Sequence, residues 1–324
     1  MPVPIRVKVL VALAPLGAAA ALAACGGSSD RSDTSTPATR HAAAERIIAQ
    51  AIGTNPKASS AHIDGTIDLD VKGGTRFSGK TQITADGGYE LRDGATVPDV
   101  DVDVDVALGS GALGGTLLVA DGTGYIKLAN SGYKLPDAIS KTLVAPAAAA
   151  HNGLTKTGAM FYINPQNWQR NARLVGNTTV AGEPVQEITA EVRPERAFAD
   201  LARLVHFLTL IRVTQAIGLP TELTPKMQAA LVRSVTVAKG EVWIGTSDHV
   251  LRKAHLTGTI VVAKRDRRLL LGATSATLDA TIDVSDVGDP QPIIAPTQLN
   301  PYSSLQLSLS ALAEAARRQQ RSAR

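Results

Sequence analysis

The stretch from Asp99 to Leu108 constrains the fold more than any other. Val100, Val102, Val104 and Val106 alternate with Asp99, Asp101, Asp103 and Asp105. A period of two puts every valine on one face of an extended strand and every aspartate on the other. A face of carboxylates belongs in water, and a face of valines belongs out of it. The strand therefore belongs to a sheet with one wet side and one covered side, which is the habit of antiparallel pairing. The aspartates do not read as a calcium site. Ca²⁺ takes six to eight oxygens converging at roughly 2.4 Å, whereas same-face residues on a strand stand about 7 Å apart and diverge. They read as a solvated outer face that also discourages edge-to-edge association.

The same period recurs. Ile63, Ile67, Leu69 and Val71 alternate with Asp64, Thr66, Asp68 and Asp70. A second strand is expected over Arg76 to Thr84, ending in an Asp86-Gly87-Gly88 turn. Two short strands, Thr116 to Ala120 and Gly124 to Leu128, are joined by the hairpin signal Asp121-Gly122. Further strands are expected over Arg173 to Val180, Val185 to Val192, Val235 to Ile244, Val250 to Val262 and Arg267 to Val284. Between them lie helices. Ala44, Ile47, Ile48, Ala51 and Ile52 have helical spacing and Gly53 is a stop signal. Pro136 to Ala150 reads as a helix kinked near Pro146. Asn164-Pro165 opens a short helix carrying Trp168. Pro194 opens a long helix to Gly218, and Thr224-Pro225 another to about Arg233. Helices gathered into insertions, with strands joined by short turns, indicate an α+β fold with a curved antiparallel sheet.

The N-terminal segment has a basic start (Arg6, Lys8), an apolar run from Val9 to Leu22, then Ala23-Ala24-Cys25. The run is too short to span a bilayer, and the pattern is that of a secretory signal. Small residues before a cysteine resemble the bacterial lipobox. In that pathway the Cys25 thiol takes a diacylglyceryl group of palmitate-class chains, the chain is cut after Ala24, and two or three acyl chains hold it on the membrane. Cys25 is the only cysteine, so disulfides, thiolate catalysis and cysteine-ligated zinc are excluded from the mature chain. Net charge is +4 and aromatics are 3%, which gives neither the basic stripe nor the stacking residues of a nucleic-acid binder.

Three spellings of active-site motifs fail on geometry. Gly109-Ser110-Gly111-Ala112-Leu113-Gly114 matches a dinucleotide fingerprint, but a strand rather than a helix follows, so it reads as a hairpin loop. Ser247, Asp248 and His249 are consecutive in a tight turn and cannot align as nucleophile, base and orienter. His41, His62, His151, His206 and His255 have no metal-ligand spacing. No enzyme activity, metal or cofactor is expected.

Ser60-Ala61-His62 after the first helix resembles the start of the mycobacterial LppX/LprG-type envelope lipoproteins. So do Val180-Ala181-Gly182 with Ile188-Thr189-Ala190-Glu191-Val192, and Val242-Trp243-Ile244 with Asp248-His249-Val250-Leu251. The resemblance implies a LolA-like half-barrel whose concave face is covered by helices, with an apolar cavity between them that holds acyl chains. It implies residues 1–24 as signal, 25–38 as lipidated cysteine and flexible tether, 39–289 as the domain, and 290–324 as a proline-rich run-out. The basic tail, with Arg317, Arg318, Arg321 and Arg324, reads as a solvated terminus or a contact to anionic headgroups.

The expected function is a lipoprotein on the extracytoplasmic face of the cell membrane that binds or shuttles a lipid or glycolipid. The alternative is an envelope sensor or scaffold with a filled core and a protein partner. The expected cavity wall is aliphatic. From the first strands come Ile63, Ile67, Leu69, Val102, Val104 and Val106. From the later ones come Ile188, Val242, Ile244, Leu256, Ile260, Leu278 and Ile282. The helix face of Phe198, Leu201, Val205 and Leu208, continued by Leu204, Phe207 and Ile211, reads either as core or as a lid over a gap.

Overall fold

In the computed structural model, which describes residues 36–74, 78–108, 111–128, 131–214 and 220–322, the Asp–Val stretch is a strand over its whole expected length. It lies inside a single twelve-stranded sheet. The strands are β1 (Ser60–Lys72), β2 (Gly79–Glu90), β3 (Asp99–Leu108), β4 (Gly111–Ala120), β5 (Thr123–Leu128) and β6 (Ser131–Lys134). They continue as β7 (Gln169–Val180), β8 (Glu183–Val192), β9 (Val235–Gly245), β10 (Leu251–Val261), β11 (Ser275–Ser285) and β12 (Leu299–Asn300). Their spatial order is β12-β6-β5-β4-β3-β2-β1-β11-β10-β9-β8-β7. Two antiparallel meanders, β1 to β6 and β7 to β11, are thus joined by pairing of β1 with β11. Only the short β12 runs parallel to its neighbour, β6. No pairing among the described residues joins β12 to β7, so the curved sheet is unclosed.

Six helices accompany the sheet among the described residues. They are α1 (Pro37–Ile52), α2 (Asp137–Val144), α3 (Gly153–Met160), α4 (Pro194–Leu210), α5 (Pro225–Ser234) and α6 (Tyr302–Ser322). The start of α1 is fixed by Thr36, whose hydroxyl accepts from Thr39 N at 3.2 Å, with proline in the first turn. Ala44, Ile47 and Ile48 then face Ala172, Ile188 and Ile244 of the sheet. The main core joins Val100, Val104, Leu117 and Ile126 to Leu143, Met160, Leu204, Phe207 and Leu208 of the helices.

Several sequence expectations need correction. Asp86-Gly87-Gly88 is not a turn: it lies inside β2, paired with both β1 and β3. Gly87 is there for close approach, since a Cβ at that site would lie 2.0 Å from Asp101 O. Asp99 is buried and not solvated. It accepts from Asp121 N at 2.8 Å and from the Arg92 guanidinium, which fixes the β4–β5 turn. The long helix from Pro194 ends at Leu210, where Ile211 caps it and Arg212 turns left-handed (φ 62°). The segment from Arg267 is a turn through Leu271 and Gly272, and β11 begins only at Ser275. The packed domain does not stop at 289. Leu305 and Leu309 of α6 are buried in the main core, and β12 adds to the sheet edge.

Candidate functional site

The site is built around a helix that the sequence did not announce. α3 carries two glycines and two threonines in its eight residues, with no clear apolar stripe. It forms because Asn152 caps it: Asn152 Oδ1 accepts from Thr155 N at 2.9 Å, and the Thr155 hydroxyl accepts from Asn152 N at 3.1 Å. The same Asn152 side chain donates to Ala51 O and Gly53 O, each at 2.9 Å. Those carbonyls belong to the end of α1, where a helix leaves acceptors unused. One buried amide thus ties the end of α1 to the start of α3. Gly153 lets α3 sit close to the sheet, since a Cβ there would lie 2.5 Å from both Ala58 O and Tyr89 Cε2.

Between these two helices and the sheet lies a cavity of about 220 Å³. Ile48, Ala51 and Ile52 of α1 and Leu154 of α3 form its helical side, with Phe161 and Ile163 from the segment after α3. On the sheet side are Ile63, Ala85, Val102, Val104, Val242, Ile244, Leu251, Ala254 and Ile282. Across the register, Val104 faces Ala85, and Ile282 faces Gly65 and Ala254. Those small residues in the middle of the row leave the room. The hydroxyls on the wall are spent locally. Thr157 donates to Gly153 O at 2.8 Å, and Thr155 belongs to the cap. Apart from Gln166 and Gln169, the side chains of the wall present almost no hydrogen-bonding group to the space.

The far end of the sheet is pinned by α1. The β7–β8 register shifts between Arg170 and Arg173, and Asn171 takes a positive φ of 53° there. His41 Nδ1 of α1 donates to Ala172 O at 2.7 Å within that bulge.

No family model and no curated protein matches the chain. Solved structures do. It is similar to LprF from Mycobacterium bovis, with 12% identity over 79% of this chain and 97% of that one and a TM-score of 0.42. It is similar to LppX from Mycobacterium tuberculosis, with 14% identity over 78% and 99% and a TM-score of 0.38. MucB in complex with MucA follows at 10% identity over 79% and 62%, with a TM-score of 0.27. The first two are mycobacterial lipoproteins of the kind that the sequence motifs resemble.

Of the residues expected to build the cavity wall, Ile63, Val102, Val104, Val242, Ile244 and Ile282 meet around this space. Ile67, Val106, Leu201, Leu208 and Leu256 pack in or against the main core instead. Ile188 packs against α1, and Ile260 against α5 beside Ala230, Val262 and Leu270. Leu69 faces Leu278 across the β1–β11 pair, half-buried. On α4, Val205 is buried and Phe198 half-buried. The cavity is bordered by α1 and α3 and not by α4, where Leu204, Phe207 and Leu208 fill the space. Cys25, Gly109, Ser110 and Arg324 lie outside the described residues, as do the side chains of Arg317, Arg318 and Arg321.

The Ser247-Asp248-His249 turn is structural. Asp248 accepts from Val250 N at 3.1 Å and from Arg252. Burial pushes its carboxyl up, but those donors outweigh it and hold the acid below its ordinary value. Among the described residues, no group of three or more His, Cys, Asp or Glu is placed to hold a metal, and no helix is long and apolar enough to cross a membrane.

Proposed function

We propose that this protein is an envelope lipoprotein, anchored through acyl chains on Cys25, that binds or shuttles an amphiphile in the cavity bordered by α1 and α3. The void itself carries the reading. It is an apolar space of about 220 Å³ in a core that is elsewhere filled. Its aliphatic wall is apolar surface that remains uncovered in the unliganded protein, and covering such surface is favourable by roughly 25 cal/mol per Å². Water gains little there, because a buried water needs two to four polar partners. An alkyl chain restores the lost contacts. Binding is then partition, in which a chain leaves one membrane, buries against aliphatic side chains on the concave face, and leaves when the helices part. No chemical step is involved.

The test is direct. The chain made without its signal and anchor, starting after Cys25, should be found off the membrane and co-purify with a host lipid visible by native mass spectrometry. Val104 is 3% exposed and lines the cavity, so Val104→Trp should expel that lipid while the circular dichroism spectrum stays that of the folded domain. A lipid-free protein that takes up no fluorescent fatty acid would remove the carrier reading. The filled space beneath α4 would then favour the scaffold reading. An unmodified Cys25 in the mature wild-type protein would remove the anchor.

A further inference from the structure

Beside the apolar cavity lies a polar cleft of about 410 Å³, lined by Glu45, Gln166, Asn167, Gln169, Arg193 and Arg196. Gln166 and Gln169 line both spaces, so the two adjoin. The cleft rests on a rigid frame. Buried Asp200 of α4 accepts from Trp168 Nε1 at 2.8 Å and from Asn164 N at 2.9 Å, and Arg203 pairs with it at 2.9 Å. Arg193 N donates to Trp168 O. The segment 164–168 and the start of α4 are thereby held together, with Arg193 and Arg196 beside Gln166 and Gln169.

The two arginines on the cleft wall are uncommitted, unlike their neighbours in sequence. Arg170 is paired with Glu191 at 2.9 Å, and Arg203 with Asp200. Neither the Arg193 nor the Arg196 guanidinium has a hydrogen-bond or ion-pair partner among the described residues, and both are exposed. The one acid on the cleft wall, Glu45, lies 3.3 Å from His41 Nε2 on its own helix. Two uncommitted guanidinium forks and three primary amides make a receptor for an oxyanion, which guanidinium binds in a bidentate way.

We infer that this cleft seats the oxyanion head of an amphiphile whose chain occupies the adjoining cavity, so that the cargo is a single-chain anionic lipid ending in a carboxylate or a phosphate. This rests on the carrier reading above and narrows it. A single alkyl chain with a charged head is the simplest cargo that fills the aliphatic space and reaches the adjoining cleft.

The experiment uses the chain starting after Cys25 and displacement of a bound fluorescent fatty acid by dodecanoate, dodecyl phosphate, dodecanol and inorganic phosphate. Dodecanoate and dodecyl phosphate should bind about tenfold more tightly than dodecanol, the scale of a charge-assisted hydrogen bond. Inorganic phosphate should displace nothing at the same concentration. In Arg193→Gln/Arg196→Gln the anionic ligands should fall to the level of dodecanol, with dodecanol itself unchanged. Arg193→Lys/Arg196→Lys should keep part of the preference. Both side chains are exposed, so an unchanged melting temperature will confirm that the variants are folded. Equal binding of dodecanol and dodecanoate by the wild type, or a preference that survives the double Gln variant, overturns the head site and leaves the carrier reading standing. Competition by inorganic phosphate as strong as by dodecyl phosphate also overturns it, because the cleft would then bind an ion without a chain. If dodecanol and every other chain fail to bind, the carrier reading falls and this inference with it.

Discussion

Asn152 shows how much of the site hangs on one side chain. It caps α3 and satisfies two carbonyls at the end of α1. In Asn152→Ala the lost cap costs about 1 kcal/mol, and each stranded carbonyl adds to it, since an unsatisfied buried acceptor costs about 1–3 kcal/mol. Urea melts should show a loss of about 3 kcal/mol, accompanied by weaker binding of any chain because both bordering helices loosen. Asn152→Asp keeps the acceptor for Thr155 N but cannot donate to Ala51 O or Gly53 O, so it should recover the cap and not the tie. A change of less than about 0.5 kcal/mol in the alanine variant, as at an ordinary surface site, would show that the two helices do not depend on this residue. The sequence hid the role. A capping box is usually spelled Ser or Thr followed by Glu or Gln, and Asn152-Gly153-Leu154-Thr155 does not have that spelling.

At the scale of elements, the wet face of the sheet has its own cost. Asp64 of β1 stands directly opposite Asp283 of β11 and Asp86 of β2, and Asp86 stands opposite Asp103 of β3. Lys253 pairs with Asp283 at 2.8 Å at one end of this row, and His62 lies 3.1 Å from Asp86. Asp64 has no such partner among the described residues. Like charges directly opposite in a sheet are unfavourable by a few tenths to about 1 kcal/mol, so Asp64→Asn should raise the melting temperature at low salt, with the gain shrinking as salt is added. Val102→Asp, which puts a carboxylate on the covered face, should cost several kcal/mol. Equal responses to the two changes would mean that the faces are assigned the wrong way round. Period-two alternation was legible because burial on one side of a strand imprints itself on every second residue, and β3 follows it from Val100 to Val106. Legibility failed where local spelling and tertiary context disagree. Asp86-Gly87-Gly88 spells a turn, yet strands on both sides hold it extended. α4 spells a lid, yet its apolar face is consumed by the main core. The cavity follows instead from where α1 and α3 land, and no local pattern records that.

For the whole molecule, the decisive pairing is β1 with β11, which brings His62 opposite Ser285 and Lys72 opposite Ser275. Every strand of the first meander is joined to the second only through that seam. A chain ending before Ser275 should therefore fail to give a protease-resistant first half, because β1 keeps an unpaired edge and the main core lacks Val284, Leu305 and Leu309. A stable, monomeric fragment containing β1 to β6 would contradict this. The seam also sets a clock. Pairing across so long a loop is slow to close and cannot begin until its second strand exists. At ribosomal rates of about 5–20 residues per second, the wait between the end of β1 and the start of β11 is roughly 10 to 40 s. For all of that time the most regular strands of the protein, rich in valine and isoleucine, stand beside an open edge with nothing to complete it. The edge of the first meander is thus completed by the last of the long strands to be made.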